Sequence, residues 1–190
     1  MVLFASAATT GLITYGPVLM TRMHGFDAVT VGFILLLESL GWTLVAVATA
    51  SLPRQLEPAA ILGGFGAVAL GIGLLASAIA GGSAWFIGEC ALLQGGGFGA
   101  AWAFMIRRAT VLADIGERDR VASAIPTFQR LGYALGAAMM GIIANASGFS
   151  DAASAGILDT VNFRLFYLSL VPSLIGVAAA WRFVKFREPE

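Results

Sequence analysis

Residues 29–52 read VTVGFILLLESLGWTLVAVATASL and hold Glu38 as their one charged side chain. A helix needs about 20 mostly apolar residues to cross the hydrocarbon core of a bilayer, and this stretch is long enough. Because a carboxylate is costly to bury in lipid, Glu38 is a candidate functional residue. The stretch therefore predicts a transmembrane helix with a polar group near its middle.

The composition extends this prediction to the whole chain. Hydrophobic residues make up 58% of the 190 residues and charged residues only 12%, which is far from the balance of a soluble domain. Lipid offers no hydrogen-bond partners, and the apolar runs are much longer than a barrel strand, so each run must be a helix. We predict an all-α polytopic membrane protein with six transmembrane helices, at about residues 2–21, 29–52, 59–80, 84–106, 121–146 and 163–184.

The positions of the basic residues predict the orientation, because cytoplasmic loops are enriched in Lys and Arg. Eight of the eleven fall on one side of the predicted spans: Arg54, Arg107, Arg108, Arg118, Arg120, Arg182, Lys185 and Arg187. Arg22 and Arg164 fall on the other side, and Arg130 lies within a span. This asymmetry predicts that both termini are cytoplasmic. The net charge of zero gives no reason to expect a nucleic-acid partner.

Two short segments echo each other: residues 38–44, ESLGWTL, and residues 129–135, QRLGYAL. Both contain Leu-Gly-aromatic-x-Leu, and the predicted second and fifth spans cross the bilayer in opposite directions. Three spans followed by three inverted spans are typical of secondary transporters, whose binding sites lie near the midplane. We therefore predict an inverted 3+3 repeat. A chance echo is the alternative, because Leu and Gly are common in membrane helices.

The depths of Glu38 and Arg130 predict that they lie near one plane. Each is nine residues in from the start of its predicted span, which corresponds to about 13 Å in a hydrocarbon core of about 30 Å. A protonatable carboxylate held beside a guanidinium is a candidate for coupling transport to protons. The alternatives are a structural ion pair, or an Arg130 that reaches backbone carbonyls.

Further polar and aromatic residues join these two as pathway candidates. Gln94 lies deep in the fourth span, before the glycine cluster GGGFG at residues 95–99. Such a cluster favours close helix packing, and a bend that gates a cavity is the alternative. Aromatic side chains at the two echoed segments could line a cavity. The candidates for the substrate or proton pathway are Glu38, Trp42, Gln94, Gln129, Arg130 and Tyr133.

Several other functions fit the sequence less well. The only histidine, His24, lies in a predicted outer loop, and neither a paired acid nor a nearby cysteine suggests metal or nucleophile chemistry. We therefore expect neither an enzyme nor a cofactor or metal site, and we expect His24 to be solvated. A water pore would carry Asn-Pro turns, yet Asn145 precedes Ala146 and Asn162 precedes Phe163. The rival to transport is a structural or accessory membrane protein.

Five segments in order carry a family resemblance: residues 14–17 (TYGP), 32–44, 94–99 (QGGGFG), 116–118 (GER) and 129–136 (QRLGYALG). Together they resemble the carboxy-terminal half of major facilitator superfamily transporters, closest to bacterial members of the drug-exporter type. The resemblance implies two six-helix halves that rock around a central cavity. It also implies efflux of a small solute across the inner membrane, driven by protons. The first, second, fourth and fifth spans would face the cavity, and the third and sixth would be peripheral.

The chain departs from this family in two respects. The loop at residues 51–58 reads SLPRQLEP, so the carboxylate of the family's Gly-x-x-x-Asp-Arg gating motif cannot be assigned. The resemblance also implies that the amino-terminal half is absent and that the chain is a fragment or a half-transporter. Alternating access needs two walls around the site. We therefore expect the missing half or a second copy as a partner, besides the lipid bilayer.

Overall fold

The structure, a computed structural model, describes residues 1–151 and 155–186. Within them, six long helices follow one another: α1 (Val2–His24), α2 (Ala28–Thr49), α3 (Glu57–Gly81), α4 (Ala84–Leu112), α5 (Arg118–Ala146) and α6 (Ala155–Lys185). Single 3₁₀ turns occur at Arg54–Leu56, Ile115–Glu117 and Phe149–Asp151. Every regular element of the described residues is helical, so the predicted all-α class is confirmed. Arg187, which was counted in the orientation prediction, lies outside the described residues.

Four of the helices, α1, α2, α3 and α6, are long and apolar enough to cross a membrane. The prediction of membrane-spanning segments therefore holds for these four by length and composition. Helices α4 and α5 have the required length, with 29 residues each, but neither contains an 18-residue stretch as apolar as those of the other four helices. Glu89, Gln94 and several glycines dilute α4, and a charged first turn and the Gln129-Arg130 pair dilute α5. Their crossing of a membrane stays a prediction.

Residues with special backbone or capping chemistry make the tight connections. Gly25 and Gly82 adopt left-handed conformations with φ of 68° and end α1 and α3, where a side chain would be strained. The Asp27 carboxylate accepts a hydrogen bond from the backbone N–H of Thr30 at 2.8 Å and caps α2. Bonds from Thr30 to this carboxylate lower the pKa of Asp27. The chain reversals between α1 and α2 and between α3 and α4 are therefore encoded locally.

Polar contacts show which helix termini lie together. Arg108 Nη2 donates to the carbonyl oxygens of Val184 at 3.0 Å and Phe186 at 2.7 Å, so the ends of α4 and α6 are neighbours. The ion pair between Arg107 and Glu57 brings the start of α3 to the same end. We call it the basic end, because Arg54, Arg118, Arg120, Arg182 and Lys185 belong to the helix termini that meet there.

His24 corrects a prediction at the opposite end of the bundle. The sequence predicted a solvated loop residue, but His24 is the last residue of α1 and is half-buried. Its Nε2 lies 2.5 Å from the carbonyl oxygen of Ile79 near the end of α3. The Ile79 carbonyl also accepts the capping N–H of Gly82 at 3.1 Å, so the imidazole adds a second bond to a carbonyl in the last turn of α3. His24 links α1 to α3.

Glycines allow α2 and α4 to pack backbone against backbone. A Cβ on Gly95 or Gly99 would overlap the carbonyl oxygens of Glu38 and Trp42, and a Cβ on Gly41 would overlap that of Leu92. Helix α4 continues without a break through residues 95–99. The predicted role of the cluster in close packing is therefore confirmed, whereas the alternative of a bend that gates a cavity stays a prediction.

The pair α1 and α5 packs in the same manner. A Cβ on Gly132 or Gly136 would overlap the carbonyl oxygens of Leu3 and Ala7. Gly41 and Gly132 occupy the same place in the two echoed segments, and each brings its helix onto a neighbour's backbone. Helix α2 therefore packs along α4, while α5 packs along α1. An open groove remains where α2 and α5 face each other.

Candidate transport cleft

A cleft of about 300 Å³ opens in this groove near the middle of α2. Helix α2 supplies one side of it, and α1, α4 and α5 each contribute one side chain. The residues that line it are Ile13, Glu38, Ser39, Trp42, Thr43, Phe98 and Tyr133. The structure thus brings together Glu38, Trp42 and Tyr133, which the sequence predicted as pathway residues from two distant segments.

Gln94 holds the Glu38 carboxylate. Its Nε2 donates a hydrogen bond to Glu38 Oε1 at 2.8 Å, and the Gln94 side chain is fully buried. The close approach at Gly95 makes this short bridge between the helices possible, because it puts the α2 backbone against α4. Gln94 therefore contacts Glu38 from behind the cleft and does not line it, and its role in a pathway stays a prediction.

The Glu38–Gln94 pair can exist in two protonation states. Gln94 Oε1 is buried and has no hydrogen-bond partner among the described residues. A side-chain amide offers an N–H group to a carboxylate and, after rotation, an oxygen to a protonated carboxyl group. The same partner can thus bond Glu38 with or without a proton. This is the chemistry that a proton-carrying site needs.

An aromatic floor lies beside the carboxylate. The rings of Trp42 and Phe98 stack with centroids 5.3 Å apart and an interplanar angle of 13°. Trp102 packs against Trp42 at 5.7 Å, and Phe65 continues the cluster behind Phe98 at 6.4 Å. Such contacts favour these relative ring orientations. The cleft combines one carboxylate with rigid aromatic faces.

Gln129 and Tyr133 form the α5 side of the site. Gln129 Nε2 donates to the Tyr133 Oη at 3.3 Å, one turn along the same helix. Tyr133 lines the cleft, whereas Gln129 does not. Gln129 therefore contacts the phenol from outside the cleft, and its role in a pathway stays a prediction.

Arg130 does not pair with Glu38. Within residues 1–151 and 155–186 the ion pairs are those of Arg107 with Glu57 and of Arg120 with Glu117. Arg130 is exposed on the surface of α5 and does not line the cleft. The sequence left open whether these two residues pair, and in the structure they do not, since α2 packs along α4 and α5 packs along α1.

Sequence reasoning missed Glu57. This residue begins α3, is only 6% exposed and forms the ion pair with Arg107. The loop was set aside because it lacks the family's gating motif. Two signals were present: an acidic residue before Pro58 at a helix start, and the Arg107-Arg108 pair at the end of the following predicted span.

Comparisons of the chain with protein-family models, with curated proteins and with solved structures found no match. The resemblance to a major facilitator half and the inverted repeat therefore stay predictions. In the part of the chain that the structure describes, no three His, Cys, Asp or Glu side chains group as metal ligands.

Proposed function

We propose that this chain forms one six-helix wall of a secondary transporter that moves a small solute across a membrane. One observation carries the proposal: Glu38 lies midway along the apolar helix α2, bonded to a buried amide and open to an aromatic cleft. Ionisable residues within membrane-spanning helices are rare, and they mark substrate or proton pathways. Glu38 is the proposed proton carrier.

The partner of Glu38 supports proton coupling. Gln94 can bond both the carboxylate and the carboxyl form, so gain of a proton leaves no broken hydrogen bond. Trp42, Phe98 and Tyr133 would contact the solute beside the carboxylate. Loss of the Glu38 proton in one orientation of the site and its return in the other would couple the proton gradient to solute movement.

The outer faces of α2 and α5 support a second bundle as partner. Val29, Phe33, Leu44 and Val47 of α2 are each more than 60% exposed. Helix α5 exposes an apolar series beside Arg130: Phe128, Leu131, Leu135 and Ile142. Arg130 would be costly in lipid, and one bundle supplies only one wall of an alternating-access site. We propose that the other half of a longer protein, or a second copy, covers these faces.

The basic end supports the orientation. Arg54, Arg107, Arg108, Arg118 and Arg120 belong to the helix termini at that end, and cytoplasmic loops are enriched in such residues. We place this end in the cytoplasm and, following the resemblance to bacterial exporters, the protein in the inner membrane.

Solute-driven proton movement tests the proposal. The chain is reconstituted in liposomes that hold a pH-sensitive dye and is challenged with a panel of sugars, organic acids and lipophilic cations. At least one solute should move protons through the wild-type protein, and Glu38→Gln should abolish this signal. Glu117→Gln is the matched control, because it removes the same charge from an exposed acid that pairs with Arg120.

Two results would refute the proposal. One is a signal that survives in Glu38→Gln at the level of the control. The other is the absence of any solute-driven signal from wild-type protein that sediments as an assembly of two bundles. That second result would favour a structural or accessory membrane protein.

A further inference from the structure

A second cavity lies at the basic end, between the start of α3 and the end of α4. It has a volume of about 60 Å³ and is lined by Arg54, Glu57, Arg107, Arg108 and Val111. Three guanidinium groups face one carboxylate there, so the lining carries a net charge of +2. The proposed transport cycle uses none of these residues.

Two buried hydrogen-bond donors of the arginines that line this cavity have no acceptor within the part of the chain that the structure describes. Arg107 pairs with Glu57, and Arg108 Nη2 donates to the carbonyls of Val184 and Phe186. The Nε groups of Arg107 and Arg108 are both buried and have no acceptor among the described residues. Buried donors without acceptors are rare, because each loses its bonds to water and gains nothing in return. A phosphate oxygen would satisfy them once the guanidinium planes rotate toward the cavity, because neither Nε atom is accessible to solvent in this structure.

We infer that this cavity binds a phosphate group, with the headgroup of an anionic phospholipid as its source. Guanidinium groups match phosphate oxygens in geometry and charge. Basic pockets between helices at the cytoplasmic side of membrane proteins hold such headgroups. Trp181 is half-exposed at the same end, with Lys185 Nζ 3.6 Å above its ring, as expected of an anchor at the level of the headgroups.

The four charged residues have different roles in this site. Glu57 fixes Arg107 and offsets part of the positive charge, while the two carbonyl bonds fix Arg108. Arg54 is exposed at the mouth of the cavity, where a headgroup would arrive. Binding of a headgroup requires that the protein lie in a membrane, but it does not require transport. Lipid binding and the proposed transport function can therefore be tested independently.

Native mass spectrometry of the detergent-solubilised chain tests the inference. Wild-type protein is titrated with phosphatidylglycerol and, separately, with phosphatidylcholine, and the retained lipid is counted. Phosphatidylglycerol should be preferred, and Arg54→Gln should weaken its binding about fivefold. Arg120→Gln is the matched control, since Arg120 is an exposed arginine at the same end that pairs with Glu117 outside the cavity.

A competition experiment repeats the phosphatidylglycerol titration in the presence of inorganic phosphate at millimolar concentration. Retention of the lipid identifies the headgroup as the ligand, whereas its displacement identifies free phosphate at the same residues. Equal retention of the two lipids by wild-type protein would overturn the inference. So would equal weakening by Arg54→Gln and Arg120→Gln, because that result means diffuse surface charge. Size-exclusion chromatography shows that each variant is folded.

Discussion

Glu38 and Glu57 are two carboxylates that the same bundle stabilises by different means. Glu57 is 6% exposed at the start of α3 and is neutralised by the Arg107 guanidinium. Glu38 is half-buried midway along α2 and is bonded by the neutral amide of Gln94. An ion pair needs both charges, whereas an amide serves a carboxylate and a carboxyl group alike. Glu57 is therefore suited to a structural role and Glu38 to a change of protonation.

The surroundings of the two carboxylates also differ: those of Glu57 are charged, and those of Glu38 are neutral. Glu57 belongs to a cluster of fixed charges where three helices end, and its partner is also held over the Phe104 ring at 5.1 Å. Glu38 faces an open cleft whose other residues are aromatic, aliphatic or hydroxylated. A neutral partner and an aromatic cleft, rather than burial alone, distinguish Glu38, the proposed proton carrier, from Glu57.

The largest effect is expected from a substitution that adds a side chain at the close contact between α2 and α4, beside Glu38. Gly95→Ala puts a Cβ against the Glu38 carbonyl oxygen, a backbone atom that can move only with α2. We expect a loss of about 3 kcal/mol in the free energy of unfolding, at the upper end of the usual cost of overpacking, because the overlap forces a backbone shift. Denaturant titration in detergent micelles, followed by tryptophan fluorescence, measures it.

Gly66→Ala is the control for this prediction. Gly66 lies within α3, and a Cβ there would meet nothing within 4 Å. Alanine is the better helix former, so stability should be unchanged or higher by up to about 1 kcal/mol. Equal stability of the Gly95→Ala and Gly66→Ala proteins would show that α2 and α4 do not pack as closely as described.

The next effect concerns the ion pair. Arg107→Gln leaves Glu57 buried without its cation, which should cost about 2 kcal/mol; this lies below the usual range of about 3–5 kcal/mol for a buried pair because Arg107 is 40% exposed. The same denaturant titration measures it. Adding Glu57→Gln should restore much of the loss. A double variant no more stable than the single one would argue against a direct pair.

The smallest effect is expected from removal of the Gln94 side-chain amide. Gln94→Leu keeps the approximate size of the side chain but removes the donor to Glu38, so we expect a loss of about 1 kcal/mol in the free energy of unfolding. In a Glu38→Leu background the same substitution should cost clearly less, since no carboxylate is left unbonded. A double-mutant cycle measures this coupling. A coupling energy of zero would show that the hydrogen bond between Gln94 and Glu38 does not contribute to stability.

Much of the helical pattern could be predicted from particular residues. The apolar runs located the helices, and Gly25, Asp27 and Gly82 set ends that local chemistry dictates. Other helix ends could not be predicted from the local sequence. Helix α4 was predicted to end at residue 106 but continues to Leu112, because Arg107 and Arg108 find partners on α3 and α6. Apolarity alone locates the lipid-facing part of a helix, not its last turn.

By itself, the sequence determined the helical class, the glycines that permit backbone contact and the presence of a carboxylate in an apolar helix. Only the tertiary structure decided the partners: Gln94 rather than Arg130 for Glu38, and Arg107 for Glu57. The physical reason is that position along a helix follows from counting residues at a constant rise. Which helices meet, and with which faces, depends on close packing among all six.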